Sequence, residues 1–516
     1  MQQSQSKQQV GGILGFIERI GNKIPDITIL FISAFLLVCV VSAVLAQIHF
    51  NYVHPATGRP IEITNMLSGK ALVDLMSKMV TNYANFPPLS MVIVATLGIG
   101  IADGSGYINT GLKKILSITP KVLITPVVIL VGMLSHLGPD SGYVIIIPIA
   151  AYMFYAVGKH PLAGIAASFA GIAGAFAANY TPSAIDPVIQ GFTQSAAQII
   201  DPGYQVNVLC NYFYAFASTF IVIGACWWVT EKITNPWLWK ACPLDDDLDL
   251  GNENNSSITP SENRAFKIAT AVLLLMLTGL AAALYPADSI LRAPDGVIAS
   301  FKAPIMQSIV SLIFIFAALV GLVYGIACGK FKSPKDVTAA MEEITKTLVL
   351  LIVFYFFAAQ FLYAFGASNM GALIAVSGAE FLKSLNLPPQ VTVFGIIVFV
   401  ALLNLIITSA SAKWAILAPI FVPMLMAVGI APELTQVAFR VSDSAVNVVT
   451  PMFAFYPLII LYCQKYVKNA GIGTLSSMML PYTIALLVSL TFMLYLFWWL
   501  DIPLGFQADY VYPRRF

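Results

Sequence analysis

The chain has 516 residues, of which 58% are hydrophobic and only 10% charged, with a formal net charge of +2. Soluble domains carry roughly 25% charged residues, so a water-soluble globule of this size is excluded, and the near-neutral charge with no basic stripe argues against a nucleic-acid partner. No nucleophile elbow, H-E-x-x-H or Walker A sequence occurs, and the four histidines lack metal-ligand spacing, so an enzyme and an ATP-driven pump are both disfavoured.

In chain order, a polar opening carrying Lys7, Arg19 and Lys23 precedes a full-length apolar run at 27–48, which is too long for a cleavable signal peptide. Lysines 113, 114 and 121 follow the next run, at 89–112. The bias of Lys and Arg toward the cytoplasmic side therefore places the N-terminus inside and the segments 50–88 and 285–304 outside. Further apolar runs at 122–138, 143–157 and 162–178 are shorter than the roughly 20 residues of a bilayer span. They enclose the turn SHLGPDSG with Asp140, and short apolar elements of this kind suit a re-entrant hairpin, here near 135–158. Next comes NYTPSAIDPVIQG, where Asp186 sits between two prolines with no basic residue within 20 positions on either side. Such an isolated acid suits a proton carrier; the bland alternative is a boundary residue that reaches water.

A run at 208–230 closes the first half, 1–240. The polar segment 241–263, with Asp245-Asp-Asp247, reads as a cytosolic linker, and 264–516 forms a second half with runs at 265–284, 305–327, 348–365, 391–407, 415–428, 434–449, 453–462 and 478–500. Lys465 and Lys468 against Arg514-Arg515 leave the side of the C-terminus unassigned. The six scattered cysteines, with no C-x-x-C, read as small apolar residues. Glycines 98, 100, 104 and 106 read as close helix packing.

The second half repeats the first without a gap. Ser411 stands at the place of Asp140, Pro419 at that of Pro148, Ala427-Val-Gly429 at that of Ala156-Val-Gly158, and Pro432 at that of Pro161. A second hairpin is therefore expected near 404–429. Asn179 and Asn447 each precede a Thr-Pro, which suggests a broken helix in both halves. Two broken hydrophobic elements in matching positions mark a transporter built from repeats, with its site where the breaks meet. Arg440 and Asp443 lie at i, i+3 in an apolar segment, where each charge costs roughly 2.5–3.5 kcal/mol, and this spacing allows them to neutralise each other. Arg suits a substrate carboxylate and Asp a coupling cation. Asn404, Ser409, Ser411 and Asn447 add neutral oxygens, enough for sodium if they converge with a carboxylate such as Asp443, Asp186 or Asp140. Trp414 is suited to stacking on an aromatic ring or to core packing, and Lys413 to reaching water or attracting an anion.

The segments FIERIGNKIPDITIL, SASAKWAILAPIFVPMLM and FRVSDSAVNVVTPM, with AAQIIDP, FFAAQF, ASNMG, IGTLSSMMLPY and IPLG, resemble the AbgT family of p-aminobenzoyl-glutamate transporters nearly end to end. Within that family the chain resembles members linked to export of sulfonamide antimetabolites. The resemblance implies an all-α polytopic membrane protein with about nine transmembrane helices and two re-entrant hairpins, an inner transport core and an outer scaffold, assembled as a homodimer in the bacterial inner membrane. It implies cation-gradient-driven transport of p-aminobenzoate-type compounds, with H⁺ or Na⁺ as the coupling cation and no other cofactor. A dicarboxylate carrier of similar hairpin architecture is the alternative. The substrate-site residues it implies are Asp186, Ser411, Trp414, Pro432, Arg440, Asp443 and Pro451.

Overall fold

The computed structural model describes residues 26–53, 58–137, 141–183, 185–245, 258–298, 300 and 302–513. Asp140, the N-terminal Lys7, Arg19 and Lys23, most of the polar linker and Arg514-Arg515 lie outside them. The described residues are helical, with only isolated bridges and no strand. Among the described residues, seven helices are long and apolar enough to cross a membrane, or eight if one bent pair is counted as a span.

The first described helix is α1 (Ile27–Leu45), whose first turn is capped by Asp26 accepting from the Thr28 N–H. A helix missed by the hydropathy reading follows, α2 (Gly69–Ala84), in the segment expected to be an outside loop. Lys70, Asp74 and Lys78 on this helix lower its apolarity below that of a span. The expected run 89–112 is two helices, α3 (Pro87–Ser105) and α4 (Tyr107–Ser117), because Gly106 between them adopts φ +94°. α3 packs closely on two later helices, where Gly98 and Gly104 serve as expected, whereas Gly106 serves as the turn and not as a packing residue. A side chain at Gly98 would run into the Phe314 backbone, and one at Gly104 into Ala340.

The first hairpin is α5 (Ile124–Leu134) and α6 (Ser141–Ala156), bent internally by Pro148. α7 (Pro161–Phe169) continues into a π-helical turn, Ala170–Gly174, and stops. The chain resumes as α8 (Ile185–Ala197), so the first half carries a broken helix at Asn179. α9 (Tyr212–Val229) and α10 (Asn235–Ala241), joined by a second π turn, complete the half.

The second half opens with α11 (Pro260–Leu284), started by a Thr259–Glu262 capping box. The single-turn α12 (Pro304–Gln307) and the spans α13 (Ile309–Ala327) and α14 (Pro334–Ala367) follow. α15 (Met370–Ser384), which hydropathy also missed, is bent by 116° from α16 (Pro389–Asn404). α16 and α17 (Ala410–Met426) form the second hairpin, with Pro419 and Pro423 inside α17. α18 (Pro432–Val446) then stops, residues 447–455 are non-helical, and α19 (Tyr456–Gln464) resumes, giving the second broken helix at Asn447. α20 (Ile472–Trp499) ends the fold.

The halves interlock. α8 from the first half packs against α17, and α18 lies between α16 and α20. Every residue of α18 is buried, although it carries Glu433, Arg440 and Asp443. A helix this polar and fully enclosed must satisfy its charges internally. None of the six cysteines forms a disulfide among the described residues.

Candidate functional site

Four charged side chains meet where the two halves interlock. α8 begins at the break, so Asp186 lies in its first turn, where Oδ2 accepts from the Ser183 backbone N–H at 2.7 Å and from its hydroxyl at 3.1 Å. The other carboxylate oxygen, Oδ1, accepts from Arg440 Nη1 at 2.7 Å. Arg440 is 3% exposed, with its guanidinium 5.9 Å from the Phe176 ring centroid. Its Nε and Nη2 have no hydrogen-bond partner among the described residues. Two strong donors are thus held ready beside the break in the first half.

One turn further along α18, Asp443 pairs with Lys413 Nζ at 2.6 Å, and the two side chains are 0% and 1% exposed. Asn404 ties this pair together. Its Nδ2 donates to the Asp443 carbonyl at 2.7 Å and to Asn447 Oδ1 at 3.0 Å, while its Oδ1 accepts from the Lys413 ammonium. Asn447 reaches back to Asp443 Oδ2 at 3.4 Å.

This arrangement corrects the expected pairing. Arg440 and Asp443 form no ion pair with each other, and Asp186 is not a lone acid. Side chains at i and i+3 diverge by about 60° around a helix, so Arg440 turns to α8 while Asp443 turns to α16 and α17. The partner of Asp186 was out of reach of any local reading because it comes from the other half. Lys413 neither reaches water nor stands alone. One signal was available: two acids and two bases in otherwise apolar surroundings call for two pairs.

A cavity of about 470 Å³ opens beside these pairs. From the expected residues it takes Ser409, Asp443 and Asn447; from the first half it takes His136, Asn179 and Ser183. Its wall is aromatic at Tyr143, Phe176, Phe453 and Phe455, with Tyr143 and Phe455 stacked at 4.1 Å. Asp186 and Arg440 border a smaller void that shares Asn179 with the cavity, so the two ion pairs line adjoining spaces.

Other expected residues stand apart from the cavity lining. Trp414 is 1% exposed, donates from Nε1 to Thr193 Oγ1 at 2.9 Å, and stacks on Phe439 at 4.4 Å, so a side chain of the protein takes the face offered to a substrate ring. Ser411 lies against Ser409, 3.4 Å between hydroxyls, and Asn404 is wholly buried behind Asp443. Pro432 starts α18, about 12 Å along the axis from Arg440. Pro451 follows Thr450, whose hydroxyl anchors the break to the Leu405 carbonyl at 2.7 Å. The sequence reading missed the aromatic wall and His136. Its only trace was the aromatic cluster around the second break, Phe453, Phe455 and Tyr456. Among the described residues no cluster of His, Cys, Asp or Glu could hold a metal ion.

A polytopic helical chain whose two broken helices converge on an internal cavity with buried, paired charges is a membrane transporter. Residues 12–512 match the AbgT transporter family, and the chain belongs to that family. It is 32% identical over 511 residues to the p-aminobenzoyl-glutamate transport protein of Escherichia coli K12, covering 99% of this chain and 98% of that protein. Among solved structures it is similar to MtrF of Neisseria gonorrhoeae, described as one of a class of antimetabolite efflux pumps, at 39% identity and TM-score 0.90, covering 96% of this chain and all of that one. It is also similar to the YdaH transporter of Alcanivorax borkumensis, described as having an unusual topology, at 37% identity and TM-score 0.87, covering 93% and 100%.

Proposed function

We propose that this chain is a secondary transporter driven by a cation gradient, carrying p-aminobenzoyl-glutamate and related p-aminobenzoate-type compounds and exporting sulfonamide antimetabolites. It works as a homodimer in the bacterial inner membrane, with its N-terminus on the cytoplasmic side. The observation that carries this reading is the 470 Å³ cavity, which joins an aromatic wall to the buried Asp443 of one ion pair, with the Asp186–Arg440 pair bordering an adjoining void. A space of this size suits a ligand built from an aromatic ring and acidic groups. The aromatic wall favours such a ligand over an aliphatic dicarboxylate.

Arg440 is the grip for the acidic end, because two of its donors are unpartnered and a guanidinium binds a carboxylate with two parallel hydrogen bonds. Asp186 now holds the third donor. Protonation of Asp186 removes its negative charge and loosens this pair, leaving the guanidinium to an incoming anion. Proton and substrate then act on opposite partners of one bond, and that is a direct way to couple them. Ser411, Trp414, Pro432 and Pro451 shape the surrounding hairpin and breaks.

The test is uptake by purified protein in liposomes. Labelled p-aminobenzoyl-glutamate and a labelled sulfonamide are offered under imposed H⁺ or Na⁺ gradients, with succinate as the aliphatic control. The reading expects gradient-driven accumulation of both aromatic compounds and little of succinate. Succinate accumulation with no aromatic transport overturns it.

A further inference from the structure

Lys413 has no part in the grip just described, yet it is the most deeply buried cation of the site. Its ammonium stands where a free monovalent cation would be expected to bind. It lies 2.6 Å from Asp443 Oδ1, donates to Asn404 Oδ1, and sits 5.7 Å from the centroid of the Phe439 ring. The Asn404 amide is fixed in register, because both of its N–H donors are engaged by the Asp443 carbonyl and Asn447 Oδ1, so its oxygen faces the ammonium. A carboxylate and an oriented amide oxygen beside a helix break form the kind of donor set in which transporters hold sodium.

We propose that Lys413 is a tethered cation that fills this oxygen cage and keeps sodium out of it. A covalently attached ammonium loses no translational freedom on binding, so it competes at an effective concentration far above that of a dissolved ion. The net charge of the cage is then balanced without an exchangeable ion. Sodium is not the coupling ion at Asp443, and coupling falls to the Asp186–Arg440 pair in the other half of the site. The charged and titratable groups around the cage are Asp443 and Arg440 on α18, Asp186 on α8, and His136 of the first hairpin, which shares the cavity wall with Asp443. Only the transport arm of the test below rests on the gradient-driven reading.

The experiment measures thermal unfolding of the purified protein in sodium chloride and in choline chloride at equal ionic strength, with labelled-substrate transport in the same salts. The wild-type midpoint is expected to be the same in both. Lys413→Ala, which empties the cage, should unfold at lower temperature in choline and recover saturably with added sodium, and its transport should rise at least tenfold with sodium. A folded Lys413→Ala protein indifferent to sodium overturns the proposal. So does a saturable sodium response of the wild type that Asp443→Asn removes. If Lys413→Ala does not purify as a monodisperse protein, the wild type against Asp443→Asn decides the matter, a wild type without a saturable sodium response supporting the proposal. If no variant moves the substrate in either salt, the functional reading fails, whereas the midpoints still report on the cage.

Discussion

Arg440 and Asp186 come from different halves of the chain, and each is the other's main compensation for burial. Removing one partner of a buried ion pair strands the other, at a cost of roughly 3–5 kcal/mol, whereas replacing both together with apolar residues can be nearly neutral. Arg440→Ala is therefore expected to destabilise the protein by about 3–5 kcal/mol and to abolish substrate binding. The double variant Arg440→Met with Asp186→Leu should regain most of the stability and none of the transport. Denaturant unfolding and substrate binding measured on the same preparations check this. A double variant that regains transport would reduce the pair to a structural tie. At this scale the sequence revealed which residues matter more than how they pair. Arg440, Asp443 and Asp186 stand out because a charge in an apolar run is costly. The pairing of Asp186 with Arg440 depends on packing between residues more than 250 positions apart, which no local pattern encodes.

The elements of the site were legible for a different reason. Prolines and small residues repeated at the same places in both halves disclosed two hairpins and two broken helices, because Pro removes a backbone hydrogen bond wherever it stands. The helices that escaped notice, α2, α8 and α15, have 16, 13 and 15 residues, each shorter than a bilayer span, and packing decides their place in the fold. Among the long helices, the contact of α3 with α13 depends on Gly98 lying against the Phe314 backbone. Gly98→Val must push these helices apart. Overpacking of this kind costs about 1–3 kcal/mol or more, and backbone cannot yield as a flexible side chain does. The expected outcome is a sharply lower yield of folded protein and a lower unfolding midpoint. Gly279→Val provides the control, since no atom lies within contact distance of that position, and it should leave both unchanged. Equal behaviour of the two variants would remove the packing argument.

At the scale of the whole molecule, the break in each half exposes polar backbone inside a hydrophobic body, and irregular backbone is tolerated there because it lines a cavity. The first half supplies the acid Asp186 and half of the aromatic wall. The second supplies Arg440, the proposed grip, and the buried Lys413–Asp443 pair. On the proposed function, transport needs the two halves to disengage and re-engage at the Asp186–Arg440 bond, so anything that breaks this bond reversibly drives the cycle. The most direct measurement is accumulation of labelled p-aminobenzoyl-glutamate in liposomes against an imposed pH gradient, for the wild type and for Asp186→Asn, with substrate exchange at equilibrium as the control for intact binding. Accumulation in the wild type should follow the size of the gradient, while Asp186→Asn should exchange substrate but accumulate none. Gradient-driven accumulation undiminished in Asp186→Asn would contradict the account.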